Sequence, residues 1–238
     1  MFNHKLTESK IGTAKVIVDI LPGGKVIPNT KITPTSITVH QTGNVGAPAK
    51  NNHNYMKNCN KSGDRIASWH FTVDDKEIYQ AVPCNYKTYH AGNATGNNTS
   101  IGIEICMFND KDKQKKAYDN AIALIKILME YYGFGADKVK RHKDWSGKHC
   151  PSWLIEGKYG YTWTWFMSYL NGGAYVTNSF KIKVVNCTVL NARSGPSLNY
   201  PVKDTVKAGT ILTIVGSSGN WLKTKSGLYV HKDYCKVI

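Results

Sequence analysis

Ser100-Ile101-Gly102-Ile103-Glu104-Ile105-Cys106-Met107 is an apolar, β-branched octet, the length and composition of a buried strand. A few residues later the period changes. Between 113 and 132, Ala117, Tyr118, Ala121, Leu124, Ile125, Leu128 and Tyr132 recur at steps of three and four, an amphipathic helix that Gly133 is placed to end. A strand followed by a long helix is the repeating unit of α/β domains. Working outward, residues 36–41, 68–73 and 77–82 read as further strands, and weaker helical patterns run from 48 to about 61 and from 162 to 170. The expected architecture is an α/β domain, a mixed central sheet flanked by helices, over residues 1–171.

After residue 178 the helical period disappears. Short strands are expected at 180–189, 210–215, 221–224, 228–230 and 234–237, separated by Ser194-Gly195-Pro196, Ala208-Gly209, Ser217-Ser218-Gly219 and Ser226-Gly227. Closely spaced strands and tight turns suggest a small all-β barrel at 179–238, joined through a short linker at 172–178.

At 238 residues, 41% hydrophobic and 20% charged, the chain is long enough for a medium domain and a small one, each with a core. No apolar run approaches the roughly 18 residues of a transmembrane span, so membrane insertion is not expected. Met1-Phe2-Asn3-His4-Lys5 lacks the cationic-then-apolar pattern of a secretory signal, so synthesis in the cytoplasm without a signal peptide is expected. The six cysteines, with no Cys-x-x-Cys pair, are expected to be reduced, and a Cys187–Cys235 bridge is disfavoured. Thirty-one Lys+Arg against 16 Asp+Glu give a net charge of +15, which attracts a polyanion. The lysines are scattered and no common nucleic-acid-binding motif is present, so nucleic acid is not the expected partner.

Arg141-His142-Lys143-Asp144-Trp145-Ser146-Gly147-Lys148-His149-Cys150-Pro151 places imidazole, ammonium and thiol in one turning segment. Two imidazoles and a thiolate are a zinc donor set that leaves a fourth tetrahedral position open. His142, Cys150 and the strand residue His40 are the candidates, although a lone strand histidine is more often a satisfied core residue. His149 is a further candidate, but in an extended segment it points opposite to Cys150. Glu104 alternates with Ile103 and Ile105, which permits either a solvent-facing or a cleft-facing carboxylate. Alternation from Cys150 puts Lys148 on the metal side.

Five pieces, in order, carry a family resemblance: 37–42 (Ile-Thr-Val-His-Gln-Thr), 67–74 (Ala-Ser-Trp-His-Phe-Thr-Val-Asp), 89–92 (Tyr-His-Ala-Gly), 100–106 (Ser-Ile-Gly-Ile-Glu-Ile-Cys) and 142–151. Together they resemble zinc-dependent N-acetylmuramoyl-L-alanine amidases of the peptidoglycan-recognition and phage-lysozyme type. The pieces at 189–197 and 219–221 resemble bacterial SH3-like wall-binding domains, and the whole resembles a phage endolysin. The resemblance implies Zn2+ on His40, His142 and Cys150, Glu104 as general base, and Lys148 as support for the oxyanion. It places His70 and His90 along the cleft as substrate-binding or supporting groups, with a core-facing ring equally open for His70. Some relatives carry a catalytic tyrosine just before the His70 position; Trp69 stands here, which shifts weight onto Glu104. Asp144 reads as a turn-stabilising group.

The implied reaction is hydrolysis of the amide between N-acetylmuramic acid and L-alanine of the stem peptide. The implied partners are peptidoglycan and associated anionic wall polymers. The implied location is the host cytoplasm until holin-dependent release to a Gram-positive wall. The alternatives are a bacterial autolysin or germination amidase of the same chemistry, a non-catalytic peptidoglycan-binding protein, and a cysteine peptidase using Cys150 with His142. The last leaves His40 unexplained.

Overall fold

The computed structural model describes residues 4–170, 180–218 and 220–238, so the linker expected at 172–178 lies outside the described residues. The chain divides into two compact units, Met1–Asn171 and Gly172–Ile238. Among the described residues no helix is long and apolar enough to cross a membrane.

In chain order the first unit contains β1 (Lys10–Ile11), β2 (Ala14–Val18), β3 (Ser36–Val45), α1 (Ala49–Ser62), β4 (Phe71–Val73), β5 (Glu77–Gln80) and α2 (Ala94–Thr99). It continues with β6 (Ser100–Met107), α3 (Lys111–Tyr132), β7 (Val139–Arg141), α4 (His142–Ser146), α5 (Ser152–Glu156) and α6 (Trp163–Leu170). The strands form one mixed sheet, ordered β1-β2-β5-β4-β6-β3-β7. β3 lies parallel between β6 and β7, and β6 is parallel to β4.

The alternation in β3 and β6 builds the two faces. Ile37 and Val39 are Cα partners of Ile101 and Ile103, and α3 buries Ala117, Ala121, Leu124, Ile125 and Leu128 completely. Each of the leucines and the isoleucine contributes roughly 1.5–3 kcal/mol on leaving water. α3 begins two residues earlier than its apolar period implies, because Asp110 caps it by accepting from the Lys113 N–H at 2.9 Å. It ends at Gly133, whose φ of 67° suits a residue without a Cβ. A second cluster around Met56, Trp69, Val26 and Ala81 packs α1 on the sheet.

Several expectations need correction. β4 begins at Phe71, not 68, because the Ser68 N–H donates to the Tyr89 carbonyl at 3.0 Å, outside the β4 ladder. β1, β2 and β7 are additional; they are two, five and three residues long, too short or too charged to show a period.

The second unit is all-β and antiparallel. It contains β8 (Phe180–Val184), β9 (Val189–Arg193), β10 (Val202–Lys207), β11 (Ile211–Ser218), β12 (Trp221–Thr224), β13 (Tyr229–His231) and β14 (Cys235–Val237), ordered β10-β9-β13-β12-β11-β8-β14. Its core is Ile182, Val184, Leu190, Ala192, Ile214 and Val230. The single strand expected at 180–189 is two strands, broken at Asn186, whose φ of 60° interrupts extended backbone. β10 is additional; almost all its residues are exposed, so it shows no apolar alternation. All six cysteines are free thiols.

Candidate active site

The sheet face opposite the isoleucines supports a cleft of about 360 Å3. Among the residues lining it are His40, Glu104, His142, Lys148 and Cys150. These come from four chain segments: mid-β3, mid-β6, the start of α4, and the loop that follows α4.

His40 Nδ1 lies 3.0 Å from His142 Nδ1 and 4.0 Å from Cys150 Sγ. The three donor atoms all fall within 4.8 Å of one another, and all three residues are buried. Zinc bond lengths of about 2.0–2.3 Å with tetrahedral angles imply donor separations of about 3.3–3.6 Å. The observed spacings bracket those values, so the trio fits a small tetrahedral cation. Burial, with Lys148 adding to it, holds His142 down to about 4; burial, with His90, His142 and Lys148 adding to it, holds His40 well below the ordinary imidazole range. Both rings are therefore neutral at pH 7, with lone pairs free to ligate. The Gln41 N–H donates to Cys150 Sγ at 3.4 Å, a contact that supports a thiolate. Without a cation that thiol is inert: burial pushes it up to about 12, with Glu104 adding to the effect.

Surrounding groups orient the donors. His40 Nε2 faces His90 Nδ1 at 2.9 Å, and His90 Nε2 lies 3.3 Å from the Ser100 carbonyl. That carbonyl only accepts, so the relay runs from His40 Nε2–H to His90 and from His90 Nε2–H to Ser100. It leaves His40 Nδ1 as a lone pair aimed at His142. The Ala91 carbonyl accepts from the His142 ring. Asn97 Oδ1 accepts from both the His90 and Ala91 N–H groups at 2.9 and 2.8 Å, which fixes the His90 backbone. Trp145 Nε1 donates to Thr38 Oγ1 at 2.9 Å, and Thr38 donates to Ser100 Oγ at 2.7 Å. Those two bonds tie α4, and with it His142, to β3 and β6. Gly102 sits beneath His90; a Cβ there would meet the ring at 2.8 Å.

Glu104 is the Cα partner of His40 and shares its face of the sheet. Its Oε2 is buried without a hydrogen-bond partner. Burial raises the carboxyl to about 7, against the pull of Lys148 and Arg65. A carboxylate poised near neutrality and aimed into a cleft is suited to moving a proton. Lys148 is exposed and lines the same cleft.

The remaining sequence candidates fall elsewhere. His70 is wholly buried; its Nδ1 accepts from the Gly102 N–H at 2.9 Å and its Nε2 donates to the Tyr86 carbonyl at 2.8 Å. No ring nitrogen is left for a substrate, so His70 braces the strands. His149 turns away to Glu156, 2.8 Å distant. Asp144 accepts from the Arg141 N–H at 2.8 Å and from its guanidinium at 2.7 Å, which closes the turn into α4. Trp69 donates to Thr72 Oγ1 at 2.7 Å and lines the cleft. Sequence reasoning missed Tyr55 and Arg65, cleft residues from α1 and the loop after it, where no motif marks them. It also missed Thr38 and Asn97. Thr38 left a trace, as a buried polar residue within an apolar strand.

Residues 30–153 match the N-acetylmuramoyl-L-alanine amidase family and residues 188–236 the bacterial SH3 domain family. The chain is 45% identical over 167 residues to N-acetylmuramoyl-L-alanine amidase XlyA of Bacillus subtilis, covering 68% of this chain and 53% of that protein. It is 35% identical over 208 residues to N-acetylmuramoyl-L-alanine amidase CwlA of the same organism, covering 83% and 72%. It thus spans about half the length of XlyA. Among solved structures, the catalytic domain of XlyA superposes with a TM-score of 0.58 at 43% identity, covering 66% of this chain and 99% of that one. PlyL superposes with a TM-score of 0.57 at 34% identity, covering 67% and 98%.

Proposed function

The chain belongs to the N-acetylmuramoyl-L-alanine amidase family, and from that membership we propose that it hydrolyses the amide joining the lactyl group of N-acetylmuramic acid to L-alanine of the stem peptide. The observation that carries the reading is the meeting of His40, His142 and Cys150 in one cleft with Glu104 and Lys148. His40, His142 and Cys150 would hold a zinc ion, which supplies Lewis acidity toward the scissile carbonyl. Glu104 takes the proton of the attacking water through its unpartnered Oε2 and returns it to the departing alanine nitrogen. Lys148 places its ammonium beside the oxyanion that develops on the carbonyl oxygen. His90 holds His40 in the tautomer that ligates.

The second unit retains the enzyme on the wall. It carries nine Lys+Arg against two Asp+Glu, a net +7, which favours anionic wall polymers. The biological setting we infer is that of a phage endolysin, held in the cytoplasm of a Gram-positive host until a holin opens the membrane. The non-catalytic reading has no use for a buried thiol aimed at two imidazoles. The cysteine-peptidase reading needs a thiol ionised near neutrality, whereas Cys150 is pushed up to about 12.

Digestion of purified Gram-positive walls tests the reaction directly. New N-terminal L-alanine, without new reducing sugar ends, is the expected product. Soluble fragments lacking free N-terminal alanine would overturn it.

A further inference from the structure

Three lysines stand together on one outer face of the second unit. Lys181 and Lys183 lie two apart on β8 and are exposed, whereas Ile182 and Val184 turn inward and are buried. Lys236 of β14 is the Cα partner of Lys183 in an antiparallel pair. The two side chains therefore leave the sheet on the same side, with Cβ atoms about 5 Å apart. Lys181 follows one pleat along β8, about 7 Å away. On the other flank, Ile211 and Thr213 of β11 are the Cα partners of Lys183 and Lys181, and Ile211 is 55% exposed.

Among the described residues no acidic side chain is paired with this face, and none of the three ammoniums forms a salt bridge. The unit's two acids are Asp204, on β10 at the far end of the strand order, and Asp233, 3.5 Å from His231 Nδ1. Like charges placed directly opposite each other destabilise a sheet. One lysine on the edge strand β14 would suffice to block edge-to-edge pairing. That role does not account for Lys181 and Lys183 on β8, which is paired on both sides.

We propose that Lys181, Lys183 and Lys236 form a docking face for the phosphates of a phosphodiester wall polymer of the teichoic-acid class. The proposal rests on the wall-hydrolase reading and adds to it where the polymer binds. Lysine acts as a compact point charge with rotatable donors, which suits phosphates that recur along a flexible chain without fixed orientation. The exposed Ile211 beside Lys183 gives the polymer's apolar carbons a surface to cross.

The test uses the full chain, mixed on ice with Gram-positive walls that either keep or have been stripped of their phosphodiester polymers. The wild type should bind intact walls more tightly than stripped walls, and the preference should fade as salt rises. The triple variant Lys181→Gln/Lys183→Gln/Lys236→Gln should bind intact walls about tenfold more weakly, as expected for three modest ion contacts. Lys203→Gln/Lys223→Gln/Lys232→Gln removes the same charge elsewhere and should stay within about twofold of the wild type. Equal losses in both triples would reduce the face to bulk charge and overturn the proposal. So would wild-type binding that ignores the polymer, or a tighter grip on duplex DNA than on soluble polyglycerol phosphate. Stem-peptide release from stripped walls is read in parallel. If the wild type releases none, the amidase reading fails, whatever the binding shows.

Discussion

His40 and Glu104 are Cα partners across the parallel β3–β6 pair, so imidazole and carboxylate leave the sheet through one face. Their separation is set by the spacing of hydrogen-bonded strands, about 4.8 Å, and not by a loop. The proposed metal donor and the proposed proton carrier are thereby held side by side by the sheet itself.

Glu104→Gln keeps the shape and removes the base. Wall hydrolysis should fall about 10²- to 10⁴-fold with bound metal unchanged, measured by N-terminal alanine release and elemental analysis. In the metal-free protein the same change should stabilise. The carboxyl is raised from 4.5 to about 7 in the fold, so the wild type is penalised progressively as pH climbs from 4.5 to about 7, with the full penalty above that. The variant should gain up to about 3 kcal/mol at pH 8–9 and nothing below about pH 4.5, measured by urea melts.

Cys150→Ser should bring metal content well below one equivalent. The hydroxyl is smaller than a thiolate and does not ionise at neutral pH. A retained full equivalent after dialysis would remove Cys150 from the donor set.

Gly102→Ala adds a Cβ that meets the His90 ring at 2.8 Å. His90 must move, and His40 loses the partner that fixes its tautomer. Metal affinity should fall about tenfold, with a stability loss of about 1–3 kcal/mol. Competition with a chelator reads the first and denaturant melts the second.

His70→Gln separates bracing from ligation, and its metal content should match the wild type. The His70 ring is held down to about 4 against an ordinary 6.5. The stability owed to its neutral form is therefore complete above pH 6.5 and drains away as pH falls toward 4. The variant should lose one proton's worth of slope in that window, about 1.4 kcal/mol per pH unit, in melts of the metal-free proteins.

The sequence revealed the elements that are long or periodic. α3 was legible because seven of its hydrophobic residues, from Ala117 to Leu128, sit wholly buried on one face, and β6 because isoleucine alternates along it. β7 was not legible, since Val139-Lys140-Arg141 carries two charges and one apolar residue. β10 was hidden because it buries almost nothing. In the site, donor chemistry pointed to His40, His142 and Cys150. The fate of His70 was undecidable from its neighbours, because its ring partners lie far along the chain: the Gly102 N–H, the Tyr86 carbonyl and the Thr88 hydroxyl. Tyr55 and Arg65 reach the cleft only through the placement of α1 and of the loop that follows it, which no local pattern reports.

β7 closes the sheet at one edge and is held by three residue pairs, whereas β3 is laddered on both sides. Two of the three donors hang beyond that short strand, on α4 and the loop after it. Warming should fray this margin while the interior strands stay zipped. Amide exchange at Val139–Arg141 should outpace exchange in β3, and lytic power should fade several degrees before the fold melts. Heat would then silence the enzyme by unhinging an edge, reversibly, with its core intact.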